Sequence, residues 1–208
     1  DTVIPIELVK YVDNEITLTE IPKVGANIRK TGEDIRKKDV VLNKGTFLNP
    51  AELGLIASLG FSKIKVFKKI KVGFFSTGDE IVKAGEEIKS GQVYDSNHFT
   101  IHSMLKKLNV ECIDLGVIPD NKIIIKNTLL NAAKQADVIV TSGGVSVGQA
   151  DYMKEVLKDI GQVLFWKLSI KPGRPIAFGK IKKSNFFGLP GNPVSAMVTF
   201  YQIVQNAI

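Results

Sequence analysis

The spacing of apolar positions changes character along this chain, and each change marks an element. Val3–Val9 is apolar-rich and Glu15–Glu20 (EITLTE) alternates, with Asp13-Asn14 as a turn between them. These read as short strands. Arg29–Asp39 is polar, contains Gly32 and alternates in charge, as a surface connector does. Asn49-Pro50 opens a helix over Pro50–Leu59 that Gly60 stops.

From residue 70 the pattern becomes regular. Ile70–Ser76 (IKVGFFS) predicts a buried strand. Ser96 can cap a helix to Leu108 with Ile101, Leu105 and Leu108 on one face. A strand over Val110–Leu115, a helix over Asn121–Gln135 and a strand over Asp137–Ser142 follow. The glycine-rich Gly143–Gly148 leads to a helix over Ala150–Ile160. Gln162–Leu168, Pro175–Phe178 and Asn185–Gly188 are further strands, and Pro193 starts a last helix through Ile208. Strands alternating with helices of these lengths predict right-handed crossovers and a doubly wound, mostly parallel sheet covered on both faces. The expected fold class is α/β, preceded by a smaller β-rich piece and a connector.

Composition narrows the function classes. In 208 residues, 44% are hydrophobic and 24% charged, the balance of a globular chain. No apolar run approaches a membrane span, and the opening DTVIPIELVK has no signal-peptide pattern. The net charge of +7 is spread over the chain, and its short lysine runs lack interleaved aromatics, so nucleic acid is not an expected partner. A modest positive field suits a small anionic ligand. A single cysteine, Cys112, excludes an internal disulfide and a cysteine-built zinc site, and fits a buried position in a cytoplasmic protein. His98 and His102 stand four apart, but without a third histidine or an HExxH pattern they are expected to be structural.

In an open parallel sheet, ligands sit beyond the carboxyl ends of the strands. Those ends carry STGDE (76–80), Pro119-Asp120, SGGVSVG (142–148) with Asp151, Lys167 with KPGRP (171–175), and LPGNPVS (189–195). Glycines at 143, 144 and 148 let backbone N–H groups approach an oxyanion, or serve a tight turn. Asp79, Glu80, Asp120 and Asp151 supply hard oxygen ligands for Mg²⁺, or are solvated loop acids. Lys167, Lys171 and Arg174 suit a phosphate or other oxyanion, the last two fixed in a Pro-Gly turn. Ser195 is a helix cap or an anion donor.

These motifs, together with YDSN (94–97), KLSIKPGRP (167–175) and GLPGNPVSA (188–196), resemble the molybdopterin molybdenumtransferases, a family that includes the related domain of gephyrin. Upstream, NIRKTGEDI (27–35), KGT (44–46) and ELGLIASLG (52–60) extend the resemblance. It implies the end of a β-rich domain over residues 1–32, a connecting segment over 33–65 and a molybdopterin-binding α/β domain over 66–208. The chain's opening and a fourth domain would lie outside it. The resemblance implies insertion of molybdate into adenylylated molybdopterin with release of AMP, using Mg²⁺. Carried over by position, Glu80, Asp120 and Asp151 are acidic, metal-binding residues and Lys167 and Lys171 basic ones. Thr77, Gly78, Asp79, Ser142, Gly143, Gly144, Ser146, Arg174, Pro190, Gly191, Asn192 and Ser195 would bind the cofactor. A homodimer and a partnership with the molybdopterin adenylyltransferase are implied as well. The alternatives are the sister adenylylation activity, whose loop usually reads GGTG, and a non-catalytic pterin-binding scaffold.

Overall fold

The computed structural model describes residues 1–145 and 152–208 and divides them into two compact units, Asp1–Lys65 and Val66–Ile208. Ser146, Gly148 and Asp151 therefore lie outside the described residues.

In the first unit a 3₁₀ turn over Ile6–Leu8 precedes a hairpin of β1 (Val9–Val12) and β2 (Glu15–Leu18). Asp13 and Asn14 both have positive φ, the geometry of a two-residue hairpin turn, for which Asn and Asp are suited. The strand begins later than the apolar Val3–Val9 run suggests, because Pro5 and the 3₁₀ turn take up its first half. Helix α1 (Pro50–Ser58) starts with a capping box: Asn49 accepts from Ala51 and Glu52 N–H, and Glu52 accepts from Asn49 N–H. None of residues 1–65 is buried.

The second unit runs β3 (Lys71–Thr77), the short strands β4 (Ile81–Val82) and β5 (Val93–Tyr94), α2 (Ser96–Lys107), β6 (Glu111–Ile118), α3 (Lys122–Gln135) and β7 (Val138–Ser142). It continues through α4 (Tyr152–Ile160), β8 (Gly161–Lys167), β9 (Pro175–Ile181), β10 (Ser184–Leu189) and α5 (Pro193–Thr199). A π-helical turn, Phe200–Val204, then joins α5 to α6 (Gln205–Ala207), so the last helix is not regular throughout.

The main sheet has the order β6-β3-β7-β10-β9-β8. β6, β3, β7 and β10 are parallel, whereas β9 is antiparallel to both neighbours. The reversal follows from the short Lys182-Lys183 turn between β9 and β10, where Lys182 has positive φ and no crossover helix intervenes.

Alternation along the strands feeds two cores. Val72, Phe74, Val140 and Phe187 face one side, with Ile101 and Leu105 of α2 and Phe200. Phe75, Ile139 and Phe186 face the other, with Leu129 of α3 and Met153 and Leu157 of α4. Burying both faces explains why the central strands read as nearly continuous apolar runs. Asp95, not Ser96, caps α2, accepting from His98 N–H at 2.9 Å; Ser96 is the first helical residue. Among the described residues no helix is long and apolar enough to cross a membrane.

Candidate functional site

The carboxyl ends of the four parallel strands converge on one cavity of about 480 Å³ within the second unit. Thr77, Gly78 and Glu80 reach it after β3 and Asp120 after β6. Gly143 and Gly144 reach it after β7, and Gly191 and Pro193 after β10. A parallel sheet delivers this because its strands all end on the same side.

Two loops are tied together at the base. The Thr77 hydroxyl donates to the Asp120 carboxylate, and Asp120 N–H donates to Asp79 Oδ1 at 3.0 Å. Asp79 does not line the cavity; it fixes the loop that carries Asp120. Gly143 has φ +87°, and a Cβ there would run into the Thr77 carbonyl oxygen. Gly144 has φ +67°, with Thr77 Cγ2 at 2.8 Å from where its Cβ would lie. Both glycines are therefore required by the packing of β7's end against β3's end, whatever the cavity binds.

A second wall, Val93–Asn97 with Ile81, was given no site role by the motif reading. Asn97 Nδ2 donates to Ser142 Oγ and to Gly191 O, both at 2.7 Å, tying α2 to the ends of β7 and β10. Asp95 and Asn97 are 4% and 7% exposed, and Asp95 Oδ2 and Asn97 Oδ1 have no hydrogen-bond partner among the described residues. Ser76 Oγ, His98 Nδ1 and Thr141 Oγ1 likewise have no partner among the described residues. A sequence signal was present, since Asp95, next to the expected cap Ser96, is itself a good capping residue.

The other expected residues among those described are not in the cavity lining. Ser142 is buried and accepts from Asn97. Asn192, not Ser195, caps α5: its side chain accepts from Ser195 N–H at 3.2 Å, and the Ser195 hydroxyl leans on it at 3.4 Å. Pro190 precedes this cap without lining the cavity. Lys167, Lys171 and Arg174 are exposed and outside the lining. Their turn packs on α5, since a Cβ at Gly173 would meet Thr199 Cγ2 at 2.6 Å and Ser195 O at 3.5 Å.

The described lining holds three carboxylates, Glu80, Asp95 and Asp120, and no lysine or arginine. Among the described residues no group of three His, Cys, Asp or Glu could hold a metal ion by itself. Glu80 and Asp120 nevertheless give this cavity hard oxygen donors, a donor type suited to Mg²⁺. His98 Nε2 lies 3.0 Å from Asp114 Oδ2, and His102 Nδ1 lies 3.6 Å from Cys112 Sγ. Burial, and then Asp114, push the Cys112 thiol above its ordinary value, with Lys106 opposing.

Residues 73–208 match the model of a probable molybdopterin binding domain, and residues 1–60 that of the MoeA N-terminal region (domain I and II). The chain is 54% identical, over 94% of its length, to the molybdopterin molybdenumtransferase of Haemophilus influenzae, and covers 48% of that relative. It is 36% identical over its whole length to gephyrin of Dictyostelium discoideum, covering 33% of it. Among solved structures, the molybdopterin biosynthesis moeA protein of Pyrococcus horikoshii OT3 superposes with a TM-score of 0.80 at 35% identity, covering 99% of this chain and 50% of that one. The chain thus spans about half, or less, of the relatives it matches.

Proposed function

This chain belongs to the molybdopterin-binding domain family, and we propose that it acts in molybdenum insertion: molybdate enters adenylylated molybdopterin and AMP leaves. The observation that carries this reading is the convergence of four strand ends on one cavity with Glu80 and Asp120 in its lining. The MoeA-type match over residues 1–60 favours insertion over the sister adenylylation.

In this reading the pterin occupies the cavity, and Gly143, Gly144 and Gly191 leave it room. Glu80 and Asp120, with Asp151, would hold Mg²⁺, whose charge would polarise the phosphoanhydride. Thr77 keeps the Asp120 carboxylate in place by donating to one of its oxygens. Lys167, Lys171 and Arg174 attract the molybdate oxyanion at the same edge of the sheet, where β8 ends beside the α5 start. We place the protein in the cytoplasm as a homodimer that receives its substrate from the adenylyltransferase.

Purified protein mixed with adenylylated molybdopterin, Mg²⁺ and molybdate is expected to release AMP only when molybdate is present. Release that ignores molybdate, or none from a protein that binds the substrate, contradicts molybdenum insertion.

A further inference from the structure

Glu80 is exposed and lines the cavity, and the main chain on both sides of it is pinned. Ile81 N–H donates to Gly78 O at 3.2 Å, closing the turn out of β3. Val93 N–H donates to Glu80 O at 2.9 Å, joining the start of β5 to it. What remains to be placed is the side chain, and it leans back over Gly78. A Cβ at Gly78 would lie 2.8 Å from Glu80 Oε2, 3.0 Å from Glu80 Cδ and 2.9 Å from Ile81 Cδ1. Gly78 is buried and has φ +152°, a conformation that glycine favours. The turn accounts for that conformation. It does not account for a carboxylate in the space a side chain would take.

The contrast with Gly143 separates two uses of glycine. A Cβ at Gly143 meets the Thr77 carbonyl, which cannot yield without moving the end of β3. At Gly78 the nearest atoms among the described residues are the ends of flexible side chains, which yield by moving. A side chain at position 78 is therefore expressed as a displaced carboxylate. We infer that Gly78 is a positioning residue: its missing side chain leaves the room in which the Glu80 carboxylate rests, and so sets where that acid stands on the cavity wall. The inference rests on the reading of Glu80 as a metal-holding acid and adds to it what fixes the acid in place. Gly78 acts through Glu80 rather than on the ligand, as Thr77 acts through Asp120.

The test is a titration with Mn²⁺, an oxygen-seeking stand-in for Mg²⁺, followed by the loss of the free-ion signal in electron paramagnetic resonance. Gly78→Ala should weaken binding by about tenfold or more, the scale of misplacing the support of a metal ligand. Glu80→Gln should weaken it at least as much. Adding Gly78→Ala to Glu80→Gln should cost nothing further, since no charged ligand is left to displace, whereas a general disturbance of the loop would add to the first loss. Glu80→Asp keeps the charge and draws the carboxylate back by one methylene at an exposed position, so it folds whether or not Gly78→Ala does. It too should weaken Mn²⁺ binding by about tenfold. Unchanged affinity in Gly78→Ala or in Glu80→Asp, or additive losses in the double variant, overturns this inference alone. No Mn²⁺ binding by the unaltered chain, or full affinity in Glu80→Gln, overturns the metal reading of Glu80 and this inference with it.

Discussion

Gly143 shows how one residue serves packing before it serves a ligand. Its φ of +87° and its approach to the Thr77 carbonyl leave no room for a side chain. Gly143→Ala should therefore lose about 1–3 kcal/mol of stability, read from denaturant unfolding, with or without ligand present. The glycine motif was legible in the sequence, but its partner was not, because Thr77 lies on another strand. Cys112 is half-buried at the margin of the core rather than fully buried as expected. With the folded thiol raised above its ordinary 9.0, the unfolded chain ionises first as pH rises. Its contribution to stability is thus full below pH 9.0 and is lost as pH climbs through the folded value. Melting temperatures on both sides of pH 9.0 should fall more steeply for the unaltered chain than for Cys112→Ala. Parallel slopes would show that the thiol is not held protonated by the fold.

At the scale of elements, caps decide boundaries. Asn121 accepts from Ile123 N–H and Ile124 N–H and starts α3, so Asn121→Ala should cost about 1 kcal/mol in chemical denaturation. No loss would mean that α3 is held by Leu129 and Ile125 packing alone. Strand and helix order from residue 70 onward was readable, since buried strands and amphipathic helices leave different periods. Three features escaped. Asp95 rather than Ser96 caps α2, because both are good capping residues and stand side by side. β4 and β5, two residues each, are too short to leave a period. The reversed β9 carries the same apolar pattern a parallel strand would, and only its short turn to β10 betrays it.

For the whole second unit, the central inference concerned where the loops meet. The rule that ligands lie beyond the carboxyl ends of parallel strands brought STGDE, Pro119-Asp120, the first glycines of SGGVSVG and the PGNP loop to one edge, and the cavity lies there. The rule orders loops by edge, not by distance along it. That is why Lys167, Lys171 and Arg174 share the edge without lining the cavity, and why Val93–Asn97, arriving from a long excursion between β3 and α2, was missed. The account's central claim is that this cavity receives the pterin, and Gly191 tests it most directly. Gly191 lines the cavity, its φ is not in the left-handed range, and among the described residues a Cβ there meets nothing nearer than Gly143 Cα at 3.9 Å. Leucine at this position should therefore fill the cavity while leaving the fold intact, which neither Gly143 nor Gly144 would allow. Titrating molybdopterin into the unaltered chain and Gly191→Leu, with melting temperatures measured alongside, should show affinity reduced by about tenfold or more at a nearly unchanged melting temperature. Equal affinity in the two proteins would contradict the claim that the pterin binds there.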